Sequence, residues 1–301
     1  MQDVVRVYVG TDRSQLLAVA VLEHSIRRHT RRPVQVCPLI DLNLPEPRDV
    51  RQGSRTNFSF ARFAIPELAG YRGKALYLDA DMLVFRDIGE LWDIPLEGGT
   101  VAIQEGVPDH AVAQAKAGAP KKRVKQCSVM LIDCARAGWD VHRIVGGLDG
   151  RYTYEELMYD LCILPEDEVR YSVPFAWNSL EHFDPETRLI HYTDMDTQPW
   201  VNADNRNGPH WLEEVRLMLD TGALTGSELK TEIDLGYFRP SLLAELNEMP
   251  HRKGWNAARA AAYAAIDERA GFVRHAEVYR RKKLRAEAVR RYAAQQAPSV
   301  A

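Results

Sequence analysis

The apolar positions of this chain fall into short runs whose spacing alternates between a period of two and one near 3.6. Residues 4–9 (VVRVYV) are β-branched and apolar, ended by Gly10, which is the pattern of a buried strand. Ser14 then stands in an N-cap position. Leu16, Leu17, Ala20, Val21 and Leu22 give the apolar face of a helix running to about residue 29. Pro33 restarts the chain into a second strand over 34–40. A strand–helix–strand opening predicts an α/β fold with a mainly parallel sheet.

The polar, Pro-rich stretch 41–53 reads as a loop, and 58–68 as a helix that Pro66 limits. Residues 74–85 (KALYLDADMLVF), 101–104, 129–132 (VMLI) and 188–192 predict further strands, with helices over 151–164 and 211–219. Residues 106–125 are rich in Ala, Gly and Lys without a period, and predict a surface loop. After about residue 236 no strand signal remains. Ala-rich stretches at 255–270 and 273–295 predict helices, so the chain divides into an α/β domain over 1–235 and a helical extension over 236–301.

Composition changes this picture little. Of 301 residues, 46% are hydrophobic and 27% charged, enough for a sizeable core. The formal net charge of -3 gives no reason to expect a nucleic-acid partner. Cys37, Cys127, Cys134 and Cys162 lie far apart without zinc-ligand spacing, and read as free thiols in a reducing compartment. The opening decapeptide is too short and charged for a signal peptide, and no run approaches the ~18 apolar residues of a membrane span. The expectation is a cytoplasmic protein.

The chemistry concentrates at Asp79-Ala80-Asp81, where an apolar strand delivers two carboxylates separated by one residue. In an extended strand, side chains two apart share a face. At the C-terminal end of a strand in an open α/β sheet, that face looks into the ligand crevice. Two such carboxylates repel unless a cation lies between them, and a divalent ion shared with substrate phosphates is the common solution. Two other readings stand beside it: a solvated strand end, and the Asp-x-Asp nucleophile loop of phosphohydrolases. Against the second, Leu83 follows where such loops carry Thr or Val, and the pair lies some seventy residues into the chain.

Residues 74–92 (KALYLDADMLVFRDIGELW) resemble the metal-binding segment of glycosyltransferase family eight, the retaining enzymes with a GT-A fold. Residues 7–12 (VYVGTD) resemble that family's first strand and nucleotide-binding turn. Residues 60–63 (FARF) and 65–68 (IPEL) resemble its arginine-bearing helix, 128–133 (SVMLID) its strand after the variable loop, and 191–200 (HYTDMDTQPW) its late His…Pro-Trp motif. The resemblance implies a GT-A catalytic domain over 1–235 that binds a UDP-sugar donor with Mn²⁺ or Mg²⁺. The ligands it implies are Asp79, Asp81 and His191. Ala80 lies between the ligands, Thr11 and Asp12 against the nucleoside, Arg62 near the sugar or phosphates, and Trp200 at the donor. The implied reaction moves a hexose to an unknown glycan, lipid or protein acceptor with retention of configuration.

Departures from the family pattern bear on this, among them Gln126-Cys127-Ser128 before the VMLI strand and an unusual Trp177-Asn178-Ser179 before the histidine motif. Gln198 stands where the family carries a lysine against the diphosphate, so Lys121, Lys122, Arg123 and Lys125 become candidates for the missing cation. Tyr154-Glu155 replaces the family's Asp-Gln pair, and Glu155 or Glu156 could stabilise an oxocarbenium ion or act as nucleophile, or merely begin a helix. Asp194 and Asp196 could orient or deprotonate the acceptor hydroxyl, or be solvated. These departures keep a non-catalytic nucleotide-sugar binder, and a nucleotidyltransferase or phosphohydrolase using the same Asp pair, as alternatives. Of Trp177, Tyr192, Trp200 and Trp211, all but Trp200 read as core. The basic stretch 280–291 (RRKKLRAEAVRR), flanked by Tyr279 and Tyr292, reads either as a solvated helix end or as a peripheral contact with an anionic membrane through 279–292.

Overall fold

The computed structural model describes residues 4–56, 58–121, 125–249 and 254–296. Its strands are β1 (Val5–Gly10), β2 (Val34–Leu39), β3 (Lys74–Asp79), β4 (Met82–Val84), β5 (Val101–Gln104), β6 (Val129–Asp133), β7 (Val169–Val173), β8 (Ser179–Leu180) and β9 (Leu189–His191). The main sheet has the order β2-β1-β3-β6-β5-β7, and a small second sheet the order β4-β9-β8. β1 is parallel to both β2 and β3, and β5 is parallel to β7, while β6 runs antiparallel between β3 and β5.

The sheet is covered on both faces, which is why β1 and β3 are apolar almost throughout. On one face the helix Leu16–His29 sends Val19, Leu22 and Ile26 against Val5, Val7, Val9, Leu76 and Leu78. On the other, Phe60, Phe63, Ile65 and Leu157 pack on Tyr8, Tyr77 and Met130. A third apolar cluster joins Leu83, Tyr192, Trp200 and Trp211 to Phe238, Leu242 and Leu246. The small sheet and the helices Gly208–Thr221 and Leu242–Glu248 therefore share one core.

Several local expectations are corrected. Asp12, not Ser14, caps the first turn: its Oδ1 accepts from Ser14 N–H at 2.9 Å, ahead of a 3₁₀ turn and then the helix. The segment 58–68 is a 3₁₀ turn (Ala61–Ala64) followed by a single α turn (Ile65–Leu68), because Pro66 has no N–H to continue the earlier ladder. The helix expected over 151–164 is confined to Tyr154–Asp160. Thr153 and Glu156 cap it reciprocally, and Leu161 at φ 48° ends it. β3 stops at Asp79 and β4 begins at Met82, so Asp79 and Asp81 straddle a bend and do not share one face of a continuous strand.

Candidate active site

Two strand pairings assemble the site. The parallel register of β1 and β3 sets Gly10 opposite Asp79, bringing Thr11 and Asp12 beside the first carboxylate. The antiparallel register of β4 and β9 sets Met82 opposite His191, and Tyr192 N–H donates to Asp81 O at 2.8 Å. A residue 110 positions later is thereby delivered to the second carboxylate.

His191 Nε2 lies 3.0 Å from Asp81 Oδ1 and 3.9 Å from Asp79 Oδ2. One ligand atom from each of the three residues falls within 4.8 Å of the other two. Ligands about 2.1 Å from a hard divalent ion lie roughly 3–4 Å apart, so the three fit one shared ion with modest closure. Two carboxylates and one imidazole also suit Mn²⁺ or Mg²⁺ chemically.

The electrostatics agree. Burial raises the Asp79 carboxyl above its ordinary range, and Asp81 adds to this, while Arg62 and His191 oppose it. Burial opposes charging of His191, yet the carboxylates of Asp81 and Asp79 outweigh it and lift the imidazole above its ordinary value. The cluster thus favours a positive charge at its centre, a proton or a metal ion.

A second layer holds these groups. Nδ1 of His191 is 3.0 Å from Asn178 Oδ1, and Asn178 Nδ2 donates to Gln104 Oε1 at 2.8 Å and Ser128 Oγ at 3.1 Å. With Nδ1–H donated to Asn178, the Nε2 lone pair faces the carboxylates. Tyr77 Oη donates to Asp79 Oδ1 at 2.5 Å, and Gln198 Nε2 donates to Asp81 Oδ2 at 2.8 Å and to Tyr192 O at 2.9 Å. Glu181, held at φ 51°, accepts from Asp194 N–H at 2.7 Å and donates its own N–H to His191 O at 3.0 Å. Asn178, Tyr77 and Glu181 are absent from the expected set. The only signal for Asn178 was the unusual Trp177-Asn178-Ser179 before the histidine motif.

A cleft of about 360 Å³ opens beside the cluster, lined by Asp79, His191, Arg62, Cys127, Ser128 and Tyr154 among others. Arg62 forms its floor, donating to Cys127 O at 2.7 Å and to Tyr77 Oη at 3.2 Å. Among the described residues its buried Nε has no hydrogen-bond partner.

The remaining expected residues divide between the site and its surroundings. Glu155 is exposed and pairs with Arg55 at 3.0 Å, and Glu156 is spent on the helix cap; the same helix turns Tyr154, Met158 and Tyr159 to the cleft instead. Trp200 is buried against Trp211 and Phe238. Thr11 and Asp12 are buried beside the site, Ala80 is buried between the ligands, and Asp194 and Asp196 are exposed. Lys125 is engaged by Asp160 O and Glu166, each at 2.7 Å, and Lys121 is exposed; Lys122 and Arg123 fall outside the described residues.

The model of the family "Glycosyl transferase family 8" matches residues 14–130. Over 229 residues the chain is 30% identical to Protein CDI of Arabidopsis thaliana, covering 70% of this chain and 85% of that protein. The chain belongs to glycosyl transferase family 8. It is a glycosyltransferase, which sets aside phosphohydrolase chemistry for the acidic pair. The transferase also resembles the solved bifunctional glycosyltransferase WbbM, with a TM-score of 0.52 at 16% identity over 76% of this chain and 51% of that one. For GlyE of Streptococcus pneumoniae the TM-score is 0.51 at 19% identity, over 70% and 60% of the two chains. These likenesses show a GT-A fold, although the transferase spans only about half to three-fifths of either structure. The family match stops before Asn178, His191 and Gln198, so the case for those residues is geometric.

Proposed function

We propose that this transferase binds a UDP-sugar through Mn²⁺ or Mg²⁺ held by Asp79, Asp81 and His191, and passes its hexose with retention to a glycan acceptor. The convergence of those three ligand atoms within 4.8 Å at the rim of the cleft carries the reading. When bound, the ion supplies positive charge to the leaving diphosphate and fixes its orientation.

The protein's own groups account for the rest. Thr11 and Asp12, at the end of β1, border the nucleoside side. Arg62 offers a fixed positive charge on the cleft floor, where low polarity strengthens it toward a phosphate or sugar oxygen. Tyr77 and Gln198 hold one oxygen each of Asp79 and Asp81, which leaves the second oxygens to converge on a cation. An oxocarbenium-like transition state would meet the Tyr154, Ser128 and Gln126 oxygens lining the cleft, and same-face attack places the acceptor on the diphosphate side. Glu155 and Glu156 have no part in this arrangement.

The test is UDP release from UDP-glucose, UDP-galactose and UDP-N-acetylglucosamine, with and without Mn²⁺. Metal-dependent release that Asp81→Ala lowers by at least 100-fold supports the proposal. Equal release with and without metal, or by the variant, overturns it.

A further inference from the structure

The basic helix Ala276–Gln296 does not project into solvent. At its start, Arg274 donates to Asp196 O at 2.7 Å, His275 bonds Met195 O at 2.9 Å, and Tyr279 Oη donates to Asp196 Oδ1 at 2.7 Å. Further on, Arg281 donates to Ser54 Oγ at 2.6 Å and pairs with Glu46 at 3.1 Å. Arg285 reaches Arg51 O, and the Arg51 guanidinium lies 5.0 Å from the Tyr292 ring centroid. From residue 279 to 292 a helix covers about 20 Å at 1.5 Å per residue. The helix therefore ties the loop after β9 to the loop after β2, and between those loops emerge the ends of β1 and β3 that carry Asp12 and Asp79. Where it begins, His275 and Ala276 share a small cavity with Ser14, whose Oγ donates to Asp12 Oδ1 at 2.6 Å beside the site.

Charge balance asks for a cation here. A divalent ion offsets only Asp79 and Asp81, so most of a bound diphosphate's charge remains. Arg62 supplies one charge at the cleft, with both terminal nitrogens also donating to Cys127 O and Tyr77, while Lys125 is held by Glu166 and Gln198 is neutral and occupied by Asp81. Lys282 differs. Its Nζ lies 4.0 Å from Met195 Sδ and 5.1 Å from the Tyr279 ring centroid, on the side of the helix facing the site loop, and among the described residues it pairs with no carboxylate.

We infer that this helix is a strap over the donor site and that Lys282 supplies the positive charge held against the donor's diphosphate. The inference rests on the proposed donor reading. It also means that Tyr279, Arg281, Arg285 and Tyr292, which a membrane contact would require, are occupied within the molecule.

Calorimetric titration of the full chain with UDP and with uridine, in the presence of Mn²⁺, tests it. Lys282→Ala should weaken UDP binding about tenfold, as expected for loss of a partly exposed charge-assisted contact. Uridine binding should not change, Lys282→Arg should retain most UDP affinity, and Lys283→Ala should match wild type. Equal UDP affinity in wild type and Lys282→Ala overturns the inference, as does an equal loss in Lys283→Ala, which would mark a diffuse charge effect. Unaltered UDP affinity in Lys282→Ala, with loss of sedimentation on anionic vesicles, overturns it in favour of a membrane role. Failure of the wild-type protein to bind UDP with Mn²⁺ instead overturns the donor reading beneath it.

Discussion

Asn178 Oδ1 stands 3.0 Å from His191 Nδ1, and this contact decides which nitrogen of the histidine can serve an ion beside Asp79 and Asp81. Asn178 is itself fully buried and held by Gln104 and Ser128, so it cannot turn away at low cost. Asn178→Ala leaves the imidazole free to rotate or change tautomer. Loss of such an outer partner costs about 10–100-fold in metal affinity. Mn²⁺ titration calorimetry of Asn178→Ala should show a loss of that size, and an unchanged affinity would remove Asn178 from the site.

Gln198 gives a second prediction, because its amide fills the space beside Asp81 without adding charge. Gln198→Glu would place a further buried carboxylate against the acidic pair and take away the donor that Asp81 uses. Like charges in a buried setting destabilise unless a cation joins them. The metal-free variant should melt below wild type, with Mn²⁺ closing part of the gap, as followed by thermal denaturation in EDTA and in Mn²⁺. Identical melting of the two proteins in EDTA would show that Asp81 tolerates the extra charge.

The legible part of this protein was its strands. β1, β3 and β6 are buried on both faces, so their sequences had to be continuous apolar runs, and the acidic pair stood out at the end of one of them. His191 was legible only by resemblance, since its proximity to Asp81 depends on β4 and β9, each three residues long, too short to carry a period. The burial of Trp200 was hidden for a related reason. Whether an indole meets ligand or core depends on Trp211 and Phe238, and neither position is implied by the Pro-Trp pair. Glu155 and Glu156 begin a helix, and the helix phase, fixed by Tyr154, Leu157 and Met158 packing inward, leaves both exposed. The contacts of the C-terminal helix were not legible because a row of Arg and Lys reads alike whether its partners are groups of the same chain or lipid phosphates.

Gly10 ties the backbone to the site more tightly than a generic turn glycine would. A Cβ there would lie 2.3 Å from Tyr77 Oη and 3.0 Å from Cζ. Tyr77 is fully buried and bonded to Asp79 and Arg62, so the ring has nowhere to retreat. Overpacking of this kind costs about 1–3 kcal/mol. Gly10→Ala should lower stability by that amount in urea unfolding and weaken Mn²⁺ binding together, since both pass through the same hydroxyl. A variant as stable as wild type would show that Tyr77 has room.

Cys127 lines the cleft beside Arg62, and burial pushes its thiol up to about 11. At pH 8 roughly one thiol in a thousand is then ionised, and the thiolate is the species that reacts. Cys162 is exposed. Iodoacetamide at pH 8 should therefore modify Cys162 well before Cys127, as read by peptide mass spectrometry. Rapid labelling of Cys127 in the folded protein would show a cleft more open than described.

Arg239 connects the third core cluster to the metal-side loop. Wholly buried, it donates to Pro199 O at 2.9 Å and to Ser241 Oγ at 2.7 Å and pairs with Glu245, while its backbone N–H donates to Trp200 O at 2.8 Å. Arg239→Ala would remove the guanidinium that pairs with buried Glu245 and bonds Pro199 O and Ser241 Oγ, a change worth about 3–5 kcal/mol, and should lower the melting temperature sharply. Replacing the pair together, Arg239→Met with Glu245→Leu, removes both charges and should recover part of that stability. It does not restore the bond to Pro199 O, the residue after Gln198. The double variant should therefore melt above Arg239→Ala yet bind Mn²⁺ more weakly than wild type, because the turn that aims Gln198 at Asp81 has lost its side-chain anchor. Full recovery of both properties would mean that the backbone contact to Trp200 alone holds the turn.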